Sequence, residues 1–217
     1  VITASYGPVV QNVTVTVADG RFWYSLGNGL GNGLDNNWYL DGNNASVVSS
    51  DGNKTTVQMG SGYRGDLWLA RSGKGKVVNV TPADYRYFAI KVGFKSQLVP
   101  GKNKPNGCIK LEIFDDGIKK IGPEYFGTGG DANNRYEILG ASEISTTEPN
   151  VLYYDLQSKY KTVTPTDWNQ VFDLVQCKFV IADFPETAQT YDLYWIRSFK
   201  SIEELQAFVD SENNTNE

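Results

Sequence analysis

Short runs of alternating apolar and polar residues, separated by Asp-Gly turns, restrict what this chain can fold into more than any other feature. In the clearest of them Val9, Gln11, Val13, Val15 and Val17 alternate with Val10, Asn12, Thr14 and Thr16. A period of two puts most of the valines on one face, the mark of a half-buried strand. Similar runs recur at RFWYSL, NNWYL, SVVSS, TTVQM, GDLWLAR, KVVNVT, YRYFAIKVGF, CIKLEIF, RYEILGA, VLYYDLQ, VQCKFVIADF and TYDLYWIRSF. Between them lie Asp19-Gly20, Asp41-Gly42, Asp51-Gly52 and Asp116-Gly117, pairs that tolerate the positive φ of tight hairpins. No helix-period stretch separates successive strands, which excludes parallel βαβ folds. The pattern predicts an all-β chain, an antiparallel two-sheet jelly-roll β-sandwich. One short C-terminal helix follows it: Ser201 stands at a cap position, Glu204 three residues on, and Ile202, Leu205, Phe208 and Val209 form an apolar stripe.

A length of 217 residues suits one domain, placed at 1–210, with the polar segment 211–217 expected as a disordered tail. The formal charge of -5 argues against nucleic acid, whose binding draws on lysines and arginines that neutralise phosphates. No apolar run is long enough to cross a bilayer as a helix, and VITASYGPVV lacks the basic start and apolar stretch of a signal peptide. Cys108 and Cys177 each fall inside a strand-like run, which favours core thiols over a metal site and leaves a disulfide between neighbouring strands open. GNGLGNGL at residues 27–34 is rich enough in glycine for a mobile loop. It lacks the Lys-Ser/Thr ending of a phosphate cradle and leads into a strand-like run rather than a helix.

The chain has 13 tyrosines, 10 phenylalanines, 5 tryptophans and no histidine. Aromatics supply stiff, partly polar contact surface, whereas histidine is the commonest general acid or base near neutral pH. The balance favours binding over catalysis, and no enzymatic activity is expected. Paired carboxylates remain the alternative, with Glu112, Glu124, Asp131, Glu137 and Asp155 as candidates, though none forms a recognisable motif. Strand parity sorts the aromatics. In YRYFAIKVGF, Phe88, Ile90, Val92 and Phe94 share one face and Tyr85, Tyr87, Ala89 and Lys91 the other. In VLYYDLQ the apolar set is Leu152, Tyr154 and Leu156, opposite Tyr153, Asp155 and Gln157; in GDLWLAR it is Leu67 and Leu69, opposite Asp66, Trp68 and Ala70. One exposed face carrying Trp68, Tyr87 and Tyr153 among Lys91, Asp66 and Asp155 would suit a sugar, with rings for its C–H faces and polar groups for its hydroxyls. Trp23 and Trp38, which flank the glycine-rich loop, are secondary candidates. Trp168 is expected to plug the entrance of the strand that follows it.

The segments DWNQVFDLVQCKFVIADF, TYDLYWIRSFKS and SIEELQAFV together resemble the closing strands and helix of a Bacteroidetes cell-surface glycan-binding module with a galactose-binding-like jelly roll, the type found in many carbohydrate-binding modules. The residues that carry the resemblance are Trp195, Ile196, Arg197, Phe199, Lys200 and Ser201; Tyr194 stands where aspartate is commoner and Ser198 where threonine is. The resemblance implies a lipoprotein or appended module at the outer-membrane surface of a bacterium, part of its polysaccharide-utilisation machinery. Such a module would bind a polysaccharide or oligosaccharide and exist as a monomer within a larger surface protein or complex. Jelly rolls of this kind often hold one structural calcium through an aspartate of the last strand. Tyr194 replaces that aspartate and Asp192 is the nearest substitute, so no cofactor is expected. The alternatives are a glycoside hydrolase or lyase on the same fold and a structural or adhesive spacer domain.

Overall fold

The computed structural model describes residues 2–6, 9–13, 20–31, 37–40, 45–60, 65–70, 78–99, 109–115, 124–126, 136–157 and 167–214. Its strands are β1 (Ile2–Tyr6), β2 (Val9–Val13), β3 (Trp23–Ser25), β4 (Tyr39–Leu40), β5 (Ala45–Ser50), β6 (Thr55–Met59), β7 (Gly65–Ala70), β8 (Val78–Val80), β9 (Tyr87–Phe94), β10 (Lys110–Asp115), β11 (Glu124–Phe126), β12 (Glu137–Ile138), β13 (Asn150–Asp155), β14 (Phe172–Ile181) and β15 (Thr190–Phe199); the helix is α1 (Ile202–Asn214). Every strand pairing is antiparallel.

β1 and β2 form a hairpin of their own, while the remaining strands build two sheets. The large sheet runs β12-β13-β9-β15-β6-β5, with β3 also on β15; the small sheet runs β11-β10-β14-β7-β4, with β8 also on β14. This is the jelly-roll order. Of the eight strands β6, β7, β9, β10, β11, β13, β14 and β15, the first, last, third and sixth lie side by side in one sheet and the second, seventh, fourth and fifth in the other. Because the chain crosses repeatedly between sheets, the inward residues of both must interlock.

Those inward residues are the ones that parity selects. Phe88, Ile90, Val92 and Phe94 of β9, Leu152 and Tyr154 of β13, and Leu67 and Leu69 of β7 all belong to one buried cluster, together with Leu111, Ile113, Phe172, Leu174, Phe179 and Ile181 of the small sheet. Phe179 lies at its centre, with ring centroids of Phe88 at 5.3 Å, Tyr154 at 5.7 Å and Trp38 at 6.0 Å. Cys177 is buried in the same cluster, Trp168 packs against Phe172 at 6.4 Å, and Cys108 lies outside the described residues.

The helix begins as expected. Glu204 N–H donates to Ser201 Oγ at 3.2 Å, and the Glu204 carboxylate accepts from the Lys200 N–H at 2.7 Å, one residue before the cap. It ends later than expected, at Asn214, so 211–214 is helix rather than tail. Leu205 is buried and Phe208 and Val209 pack beside it against the outer face of the large sheet. Among the described residues no helix is long and apolar enough to cross a membrane.

The aromatic packing around Phe179 yields a stability test. Phe179→Ala should cost about 3–5 kcal/mol in urea unfolding at unchanged far-ultraviolet dichroism, because the ring is fully buried and carries the contact of the small sheet with Phe88 and Tyr154 of the large one.

Candidate functional site

A β-bulge in the last strand shapes the outer face of the large sheet. Along β15, Leu193 opposes Val92 and Trp195 opposes Lys91, leaving Tyr194 as the extra residue. Tyr191, Leu193 and Ile196 belong to the inner core, so Tyr194 and Trp195 both turn outward beside Lys91. The Lys91 ammonium lies 5.5 Å from the Tyr194 ring centre. On the far side, Tyr194 packs over Gly93, where an added Cβ would stand 3.6 Å from the ring.

Lys91, Val151 and Tyr194 floor a groove of about 470 Å³, whose walls are Asn53, Glu148, Pro149, Val209 and Asn213. Three separate elements carry those walls, and each is held by its own polar device. Asn53 sits on the β5–β6 turn, where Asp51 Oδ1 accepts the N–H groups of Asn53 at 2.9 Å and Lys54 at 2.8 Å, and Gly52 takes φ +90°. Gly27 holds that turn from behind: its carbonyl accepts the Gly52 N–H at 3.1 Å, and a Cβ on Gly27 would fall 2.3 Å from the Gly52 oxygen. Residues 27–31 of the glycine-rich segment are therefore docked against this turn, with Gly29 N–H donating to Thr55 Oγ1 at 3.2 Å; 32–34 fall outside the described residues.

Glu148 and Pro149 come from the β12–β13 loop. Buried Asn150 organises that loop, its Oδ1 accepting the Ser145 N–H at 2.8 Å and its Nδ2 donating to the Ser145 carbonyl at 2.9 Å, while Ser145 Oγ accepts the Glu148 N–H at 3.0 Å. Val209 and Asn213 come from α1. There the Glu212 carboxylate accepts from Lys91 Nζ at 3.1 Å and Trp195 Nε1 at 3.0 Å, with Arg197 Nη1 at 3.8 Å. Burial pushes the Arg197 guanidinium below its ordinary value, and the Glu212 carboxylate opposes that shift.

The residues expected to form one binding face divide between two. Tyr87, Tyr153, Lys91 and Asp155 do share the outer face of the large sheet. Tyr87 and Tyr153 are half-buried, in edge contact at 6.2 Å, and packed into the margin of the cluster under α1. Asp155 is taken up by Arg86 through two bonds of 2.7 Å. Asp66 and Trp68 do not join them, because β7 belongs to the small sheet. Both are buried, with Lys178 Nζ 3.0 Å from Asp66 Oδ2 and 4.3 Å from the Trp68 ring centre, so the pair is consumed within the protein. Trp38 is a core residue, 0% exposed. Trp23 is 42% exposed, but the guanidinium carbons of Arg21 and Arg197 lie 4.0 and 4.4 Å from its ring centre. Among the carboxylates weighed for catalysis, Glu137 is exposed at the sheet edge and Asp131 lies outside the described residues. Of the expected residues, Lys91 alone lines the groove. Strand parity does not single out the other groove residues Tyr194, Asn53, Glu148 and Asn213: a bulge leaves no mark in the alternation, and the other three belong to a turn, a loop and a helix end.

The family described as a domain of unknown function (DUF4979) matches residues 29–205. The chain belongs to that family. No curated protein and no solved structure matches it. The matched segment includes the groove floor, Asn53 and the β12–β13 loop, and ends before Val209 and Asn213.

Asp192, the nearest substitute for a calcium-binding aspartate, is chemically unsuited to that role. Its buried carboxylate accepts from Lys54 Nζ at 2.9 Å and Thr56 Oγ1 at 2.7 Å, with Lys95 Nζ at 2.8 Å. Two ammonium groups on one carboxylate repel a dication. Burial alone would push the Asp192 carboxyl up, but the contacts with Lys95, Lys54 and Thr56 outweigh it and hold the group below the ordinary carboxylate value. A depressed folded value means that protonation favours unfolding. The stabilisation is complete above the unfolded value of about 4 and disappears as pH falls through the folded one. Urea unfolding across acid pH should show that loss. Asp192→Asn should flatten it and cost about 1–2 kcal/mol near neutral pH, where it leaves Lys54 and Lys95 facing one another.

Proposed function

We propose that this domain is a non-catalytic glycan-binding module that holds a short stretch of polysaccharide or oligosaccharide in the groove between α1, the β12–β13 loop and the β5–β6 turn. The observation that carries the reading is the composition of that groove. A tyrosine ring and the apolar surfaces of Val151, Val209 and Pro149 suit the C–H faces of sugar rings, while Asn53, Asn213, Lys91 and Glu148 supply donors and acceptors for hydroxyls. Its volume of about 470 Å³ falls within the range of small-ligand sites.

The charges around it favour a neutral sugar over an acidic one. Lys91 is matched by Glu212, Lys54 and Lys95 share the single charge of Asp192, and Glu148 on the wall supplies the third negative charge, so the three lysines are offset in sum. Support for a binding rather than cleaving role comes from the lack of histidine and from the carboxylates: Glu148 is the only one among the described lining residues, whereas glycosidases set two across the bond. The proposed role includes a location at the outer surface of a bacterium, as a component of polysaccharide uptake; its support is the resemblance of the last strands, Trp195 to Ser201, to Bacteroidetes surface modules.

Titration calorimetry against soluble neutral polysaccharides, chosen by a glycan-array screen, tests the proposal. Tyr194→Ala should weaken binding roughly fivefold or more at unchanged folding, the loss expected for one aromatic contact of about 1 kcal/mol. Prolonged incubation should release no reducing ends. Equal affinity of parent and variant would remove the groove from consideration, absence of binding to any glycan would favour the spacer reading, and product release abolished by Glu148→Gln would favour a hydrolase.

A further inference from the structure

Glu212 stands where three elements of the outer face converge. Lys91 belongs to β9, Trp195 and Arg197 to β15, and a single carboxylate on α1 meets all three. It is adjacent to Asn213 and three residues from Val209, the two residues by which the helix walls the groove. The first half of α1 is secured without it, through the Ser201 cap and through Leu205 and Phe208 against Trp195 and Phe199. The last turn, from Ser211 to Asn214, carries no apolar side chain that could do the same. Its apolar contacts end at Val209, it has no basic residue, and acidic side chains near a helix C-terminus oppose the macrodipole.

We propose that Glu212 is a positioning residue for the groove: by drawing the last turn of α1 onto Lys91 and Trp195 it sets Val209 and Asn213 as a wall and fixes the direction of the Lys91 ammonium at the floor. The functional half of this inference rests on the glycan-binding reading; the docking half stands on the carboxylate's contacts alone. Linkage makes the effect reciprocal. A ligand held against Asn213 stabilises the docked helix to the same extent that the docked helix favours the ligand.

The test is amide hydrogen exchange on the full chain for the parent, Glu212→Gln and Glu212→Ala. It is paired with calorimetric affinity for a soluble β-glucan, a mannan and a galactan. Loss of a charge-assisted bond should make the amides of residues 205–214 exchange about tenfold faster or more in Glu212→Ala. Glu212→Gln, which keeps an acceptor for Trp195, should fall between the two, with strands β9 and β15 unchanged. Affinity should decline in the same order, and ligand should slow exchange in α1 of the parent. Identical exchange in all three proteins overturns the docking role; faster exchange in Glu212→Ala with undiminished affinity overturns the positioning role. If none of the polysaccharides binds the parent, the glycan reading fails for them and exchange alone decides whether Glu212 docks the helix. If Glu212→Ala loses protection throughout the sandwich, the comparison of parent with Glu212→Gln decides in its place.

Discussion

The interlocking of the two sheets through Phe179 is the contact on which the rest of the molecule depends. Its ring lies among Phe88 and Tyr154 from the large sheet and Trp38 beyond the glycine-rich segment, so three distant parts of the chain are brought to one point. Once those rings face inward, alternation leaves Ala89, Lys91, Val151 and Tyr153 no place but the outer face. The buried layer thus sets the orientation of every outward group on β9 and β13. It also bears on the strand order: the chain passes between the sheets from β6 to β7, β9 and β10 and again from β11 to β13, β14 and β15, and apolar residues recurring along these strands make both inner faces continuous.

The large sheet departs from a plain sandwich in one place. Where β15 bulges at Tyr194, two aromatic side chains leave the same face in succession. Trp195 becomes part of the cluster that receives Leu205 and Phe208, while Tyr194 is displaced toward the groove floor. The same sheet surface therefore serves two purposes, a dry seat for the helix and a wetter pocket beside it. Glu212 stands at the boundary. The aromatic content that first suggests a binding surface is mostly spent on structure: Trp38 and Phe179 in the core, Trp195 and Phe199 under the helix, Trp68 against Lys178 on the small sheet.

The walls of the groove show how local chemistry supplies precision that a sheet cannot. Asp51, Asn150 and Glu212 each satisfy backbone or side-chain donors on a separate element, and each stands within two residues of a lining residue: Asn53, Glu148 and Asn213 respectively. None of the three contacts the others' elements directly in these bonds, so the groove depends on the sheet beneath to bring them to one place.

Read alone, the sequence determined most of the strands, the inward faces of β7, β9 and β13, the all-β class and the start of the helix, because these depend on periods of two and 3.6 and on cap and turn residues a few positions apart; β1 and β11 carry no such alternation and were not expected. Phe88, Ile90, Leu152 and Leu67 lie where alternation puts them, and Ser201 caps where it should. Only the tertiary structure decided which sheet each strand joined and what covered each outer face. Trp68 and Tyr87 have the same parity signature, yet β7 went to the small sheet and β9 to the large one, since pairing is settled by contacts between segments far apart in the chain. Likewise the Tyr194 bulge depends on how β15 pairs with β9, and Lys91 meets Glu212 across 121 residues of sequence, which no local pattern encodes.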